Sequence, residues 1–268
     1  MPNPRLPAEL LDDIVDLLPD SKTVLRNCCL VSKSWIPRIR NRLFAEISFV
    51  TEKDLKLWKK TFPDPSTSPA RHTKTIVIAN SYILRDADAD GGDWLRGFSH
   101  VVHLVMKLHL HNNNFSIPTS AIPLVAFHGF SPAVKSLYLS FTLLPPSHIF
   151  DLVLSFPLLE DLSVITFGGP SYNDDGPGGL PTAIQPQSPP MLTGTLVLFL
   201  VKGMELVTPR LLSLPGGIHF RKLTWTWFRE EDLPLMMKLV EGCSRTLESL
   251  NITYNLSGTS IRHMCPHQ

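Results

Sequence analysis

The first apolar positions of the chain recur at the spacing of a helix. They are Leu10, Leu11, Ile14, Val15, Leu17 and Leu18. Pro7 suits the first helical position, because its missing N–H would have no partner there. The pair Pro19-Asp20 then ends the stretch. This pattern predicts an amphipathic helix with a broad apolar stripe.

Two further helices are predicted before Phe44. Ser21 and Ser32 are residues that cap helices, and each precedes a helical pattern. Pro37 lies near the start of the third helix, where it indicates a kink or a restart. Three short helices make a thin core, and their apolar positions cannot all face inward. The surplus predicts that part of this helical segment binds a partner.

After Phe44 the pattern changes to short alternations that are typical of strands. They follow a template: an apolar residue, two free positions, leucine, one free position, leucine, two more positions, asparagine. Val105, Leu108, Leu110 and Asn113 match it fully, as do Leu247, Leu250, Ile252 and Asn255. Partial matches are Thr73, Ile76, Ile78; Val134, Leu137, Leu139; Leu159, Leu162, Val164; Thr193, Leu196, Leu198; and Phe220, Leu223, Trp225. Their spacing is long beside that of leucine-rich repeats, which is about 20 to 29 residues.

Helix-like stretches separate these strands, most clearly at 147–156 and 230–243. A strand and helix repeated in this way bury their apolar faces by stacking on their neighbours. The predicted fold class is therefore α/β, with a three-helix domain over 1–48 and an irregular leucine-rich-repeat-like solenoid over 49–268. A segment rich in glycine and proline, 168–190, is predicted to be a flexible exposed loop.

The helical segment resembles a known protein family. The run Leu6-Pro7-Ala8-Glu9-Leu10-Leu11, then Ile14, Leu17 and Leu18, then Leu25 and Cys28, precedes Leu30-Val31-Ser32, Ser34-Trp35 and Leu43-Phe44. Together these residues closely resemble the F-box, especially in the fungal branch of that family, in which irregular repeats follow the motif. The resemblance covers residues 5–48 in detail and the remainder only in architecture.

The resemblance implies a function. An F-box packs into a groove on a Skp-type adaptor, which a cullin holds in turn, so the chain would be the substrate-recognition subunit of a ubiquitin ligase. It would catalyse nothing itself and would need no cofactor or metal. The residues implied in adaptor binding are Leu6, Pro7, Leu10, Leu11, Ile14 and Leu18 in the first part, and Leu30, Val31 and Trp35 in the second.

The repeat region would then hold a protein target. Alternate side chains of a strand face opposite ways, so the neighbours of the inward leucines face outward. The outward positions most suited to a polypeptide partner are His109, His111, Tyr138, Ser140, Ser163, Phe199, Thr224, Thr226 and Asn251. They are mostly uncharged, with aromatic rings among hydroxyl groups.

Composition agrees with this prediction. The formal net charge is +1, which gives no electrostatic reason to expect nucleic acid or an anionic membrane as a partner. The four cysteines do not form a disulfide framework, and the first residues do not resemble a secretory signal. A cytoplasmic or nuclear location is expected.

Several alternatives stay open at this stage. The chain could be a repeat-scaffold interaction module that acts without a ubiquitin ligase. It could also be an enzyme on such a scaffold, although no nucleophile turn or phosphate loop is present. A helix-turn-helix could place Arg38, Arg40 and Arg42 against phosphates. His109 and His111 share one strand face, as metal ligands can, but no four-ligand pattern accompanies them.

Overall fold

A computed structural model describes residues 7–64, 67–79, 93–108, 130–141, 150, 152–166, 190–200, 204–228 and 230–254. Two compact units divide the chain, Met1–Leu137 and Tyr138–Gln268. The predicted boundary between 48 and 49 lies inside a strand of the first unit, Glu46–Phe49. The predicted loop 168–190 lies almost entirely outside the described residues.

Three helices come first, and the described helices and strands then alternate over 46–108 and again over 195–254. The helices are α1 (Ala8–Asp16), α2 (Lys22–Val31), α3 (Ile36–Leu43), α4 (Glu52–Thr61), α5 (Asp93–Arg96), α6 (Met204–Leu212) and α7 (Leu233–Gly242). The strands are β1 (Glu46–Phe49), β2 (Thr75–Ile78), β3 (His103–Leu108), β4 (Ser136–Phe141), β5 (Asp161–Thr166), β6 (Thr195–Leu200), β7 (Lys222–Phe228) and β8 (Ser249–Tyr254). Hydrogen-bonded neighbours in the eight-stranded parallel sheet follow chain order. The predicted α/β class is confirmed.

All three predicted N-terminal helices are present, with two corrections at their ends. Pro7 is the residue before the first helical one, with ψ 145°, and not the first helical residue itself. Ser21 precedes α2, but its side chain makes no capping hydrogen bond with any described group. Ser32 does cap: its Oγ accepts a hydrogen bond from the Ser34 N–H at 3.3 Å, at the start of a 3-10 turn over Lys33–Trp35. The predicted restart at Pro37 is confirmed, because α3 begins anew after that turn.

Two arginines of α3 hold the end of α1. The Arg42 guanidinium donates to the carbonyl oxygens of Val15 and Leu18, the latter at 2.6 Å, and pairs with Asp20. Those carbonyls belong to the last turn of a helix and its exit, where backbone acceptors lack partners within the helix. Arg38 donates to Asp16 from Nε at 3.0 Å. The two arginines therefore fix α1 against α3.

Helix α4 was not predicted, although its start carries a clear sequence signature. Thr51 Oγ1 accepts from the Asp54 N–H at 3.3 Å, and Asp54 Oδ2 accepts from the Thr51 N–H at 2.7 Å. This reciprocal pair is a capping box, here with aspartate at the third position. The backbone hydrogen bond from Thr51 is the main cause that lowers the pKa of Asp54.

Replacing Thr51 by alanine is expected to lower the free energy of unfolding by about 1 kcal/mol, because one N–H of the first turn loses its acceptor. Urea denaturation of the two proteins measures the difference. The variant T61A is the control, since the Thr61 hydroxyl bonds the Leu57 carbonyl at the other end of the same helix. Equal losses from both variants would contradict a specific role of the cap.

Aromatic rings form the core beside β1. Phe49 is 1% exposed, and its ring centroid lies 5.9 Å from that of Trp58, 5.3 Å from that of Trp94 and 6.2 Å from that of Phe98. All three contacts are edge-to-face, the arrangement that suits the ring quadrupoles. Helices α4 and α5 supply two of these partners, which explains why both pack beside the strand.

The register of the first unit corrects one template match. Ile76 and Ile78 of β2 pair with Leu104 and Met106 of β3, and all four are buried. The template in β3 is therefore Val101, Leu104, Met106, four residues before the predicted match at Val105, Leu108 and Leu110. The same register adds a match that was not predicted, Phe44, Ile47, Phe49, since Ile47 pairs with Ile76.

The second unit follows the predicted template closely. Leu162, Leu196, Leu223 and Leu250 pair in one row across β5–β8. The first three are at most 1% exposed, whereas Leu250 is 43% exposed on the last described strand. Trp225, in the next inward row, is 0% exposed and confirms its predicted place in the core. The side chain of Trp227 lies outside the description, beside an irregularity in the β7–β8 register.

Candidate functional site

Helix α1 presents an apolar face to solvent. Leu10 is 49% exposed, Ile14 38% and Leu17 85%. Their spacing of four and then three residues places them on one side of the helix. Val15 faces the other way and is 1% exposed, in a core with Leu25 and Ile39. The apolar stripe predicted for α1 is thus divided between an inner and an outer face.

The end of α2 exposes two more apolar side chains. Leu30 is 86% exposed and Val31 69%. The capping turn at Ser32 follows at once, so the chain turns away and leaves both side chains uncovered within the described structure. We refer to Leu10, Ile14, Leu17, Leu30 and Val31 as the exposed apolar set.

The structure separates the predicted adaptor-binding residues into two groups. Leu10, Ile14, Leu30 and Val31 are exposed, as a partner would require, and so is Pro7. Leu18 and Trp35 instead pack against the internal core. Leu6 lies outside the described residues, and so does the side chain of Leu11.

Leu17 belongs to the same exposed face but was not among the predicted adaptor-binding residues. Its signal in the sequence is its distance from Leu10 and Ile14, since seven residues are close to two full turns of a helix. Ranking the stripe by position on the helical wheel would have included it. Leu17 directly follows the last residue of α1, and at 85% exposure it is more accessible than Leu10 or Ile14.

The arginines of α3 do not form the phosphate-binding row that a helix-turn-helix would need. Arg38 pairs with Asp16, and this hydrogen bond lowers the pKa of the Asp16 carboxyl. Arg42 is occupied by Asp20 and two carbonyl groups. Arg40 is the one of the three for which the described residues supply no ion pair, and it is exposed.

The second unit brings five predicted target-binding residues together. Across β5–β8, one row is Ser163, Val197, Thr224 and Asn251, and the next is Ile165, Phe199, Thr226 and Thr253. Asn251 and Thr253 are exposed, and the other six are half-buried. We call these two rows the strand face. The strand face carries four hydroxyl groups, one side-chain amide and three apolar side chains.

The remaining predicted target-binding residues differ in accessibility. Tyr138 is half-buried, whereas Ser140 is only 3% exposed, so the expected exposure of Ser140 is wrong. Strand alternation sets the direction in which a side chain points, but not what covers it. His109 and His111 lie outside the described residues.

Within the described residues, no three His, Cys, Asp or Glu side chains are grouped so that they could hold a metal ion. Cys243 is buried, and burial raises the pKa of its thiol, which disfavours the nucleophilic thiolate. Asp161 is engaged structurally, because its Oδ1 accepts from the Thr195 N–H at 2.6 Å and links β5 to β6.

None of the helices in the described ranges has the length and apolar character needed to span a bilayer. No family model matches the chain, and neither does any curated protein.

Proposed function

We propose that the chain is the substrate-recognition subunit of a Skp–cullin–F-box ubiquitin ligase, with 1–48 as the adaptor-binding F-box. The observation that carries this proposal is the exposed apolar set. Leu10, Ile14, Leu30 and Val31 match F-box positions implied in adaptor binding, and all four are exposed at the surface of a small helical segment.

The free energy gained by burying apolar surface favours a partner for the exposed apolar set. Full burial of one large aliphatic side chain contributes about 1.5–3 kcal/mol. The five side chains are 38% to 86% exposed, so burying their remaining accessible surface would offset part of the cost of association. Leu18 and Trp35 would act indirectly, because they hold α1, α2 and the 3-10 turn in place from inside the core.

In this proposal, the strands and helices that follow the leucine-rich-repeat-like template hold a protein target. The strand face suits that role, since it is uncharged, half-buried and mixed in hydroxyl and apolar groups. The subunit would catalyse nothing. It would raise the local concentration of the target near the ubiquitin-carrying enzyme, in the cytoplasm or nucleus.

The test is capture of a purified Skp-type adaptor by the intact chain and by a chain that lacks residues 1–48. We expect saturable binding by the intact chain and none by the truncated one. Mass spectrometry of proteins captured by both forms separates the adaptor from targets of the repeat region. Targets retained by the intact chain without any adaptor binding would favour the alternative, an interaction module that works outside a ubiquitin ligase.

A further inference from the structure

A basic cluster occupies the end of the first unit where its strands begin. It comprises Arg40, Arg71, His72, Lys74, His100 and His103. His72 is half-buried, and the other five are exposed. They come from α3, from the 3-10 turn Pro69–His72, and from the residues that lead into β2 and β3.

Backbone hydrogen bonds hold these segments side by side. The Lys74 N–H donates to the Ala45 carbonyl at 2.8 Å, and the Lys74 carbonyl accepts from Val102 and His103 at 2.8 and 3.0 Å. Helix α3 lies against the 3-10 turn, where Arg71 Nε and His72 Nε2 are 3.3 Å apart. These contacts therefore hold the cluster in place at the end of the sheet where β1, β2 and β3 begin.

The cluster is a local excess of positive charge. Arg40, Lys74, His100 and His103 form no ion pair with any described carboxylate. Glu46 is in the same row as Thr75 and His103, but it too forms no ion pair within the described residues. Partial burial lowers the pKa of His72, and the charges of Arg71, Arg40 and His100 lower it further. Because the whole chain has a formal charge of only +1, general basicity does not explain the cluster.

From this geometry we infer that the basic cluster binds an acidic segment of a protein partner. Like charges that lie close together repel each other and act together on an oncoming anion. Such an arrangement costs folding stability and is compensated when carboxylates neutralise it. This surface is separate from the exposed apolar set, and the inference does not rest on the proposed function.

An acidic polypeptide suits the cluster better than a nucleic acid. The cluster contains only two arginines and one lysine, whereas proteins that bind DNA commonly contact several phosphates. Base stacking also needs accessible aromatic rings. The rings of Phe44, Phe62 and Phe98 contact that of Trp58, so each of them is at least partly covered by another ring.

The experiment measures the fluorescence anisotropy of a labelled oligoglutamate peptide with the full chain. We expect saturable binding that weakens about tenfold when Arg71 and Lys74 are both replaced by glutamate. The control carries the same charge change in the second unit, at the exposed residues Lys222 and Lys238, and is expected to bind as the native chain does. A milder variant, with glutamine at both cluster positions, keeps the test valid if the charge reversal disturbs folding.

Three outcomes would overturn the inference. They are the absence of saturable binding by the native chain, an equal loss in the Lys222 and Lys238 control, and tighter binding of an oligothymidylate of equal charge than of the peptide. Added salt should weaken binding by the native chain, since the contacts are exposed and screened.

Discussion

Replacing Leu10 and Ile14 together by aspartate is expected to weaken binding of the Skp-type adaptor at least about a hundredfold. Both side chains are exposed on one face of α1, so the native residues would be desolvated by the adaptor. Two carboxylates in that place would lose their hydration without gaining a partner. Isothermal titration calorimetry with purified adaptor measures the change.

Two other variants make this test specific. Leu57 on α4 is 64% exposed and lies outside the proposed interface, so L57D should bind the adaptor normally. L17D changes the most exposed side chain of the same α1 face and should weaken binding without disturbing the core. Unchanged adaptor binding by both L17D and the double variant would remove the basis of the ligase proposal.

Replacing Trp225 by alanine is expected to destabilise the second unit by about 3–5 kcal/mol. The Trp225 indole is 0% exposed, and Trp225 lies between Leu198 of β6 and Ile252 of β8 in one row across the sheet. Truncation to alanine therefore leaves a large cavity. Hydrogen exchange of peptides from β6, β7 and β8 measures the loss locally, which matters because two units need not unfold together.

Two substitutions bracket the Trp225 result. T226A changes the next residue, which is on the opposite, half-buried side of β7, and should alter stability by no more than about 0.5 kcal/mol. W225F should cost less than alanine, because it keeps an aromatic ring in the buried site. A loss of protection in T226A as large as in W225A would mean that β7 does not bury Trp225 as described.

Local spacing made α1, α2, α3, α7 and most strands predictable, whereas α4, α5, α6 and β1 were not predicted. The stripe from Leu10 to Leu18 specified α1, and Leu196, Leu223 and Leu250 recur at one equal interval that specified β6–β8. The position of β3 was not predictable in the same way. Val101, Leu104 and Met106 fit the template less fully than Val105, Leu108, Leu110 and Asn113, and only pairing with β2 shows that they are the buried set.

The sequence by itself determined that α1 is amphipathic and that apolar residues exceed what three short helices can bury. Only the tertiary structure decided which of these apolar residues stay outside the internal core. Leu18 and Trp35 pack inward, while Leu10, Leu17 and Leu30 remain outside.

The basic cluster also depends on the fold, since Arg40 and His100 come near His72 only because α3 and the segment before β3 lie beside the turn that carries His72. The hydrophobic periodicity of the sequence indicates which residues share a face of one helix or strand. Which element covers that face depends on contacts between residues far apart in sequence, and local patterns do not encode those contacts.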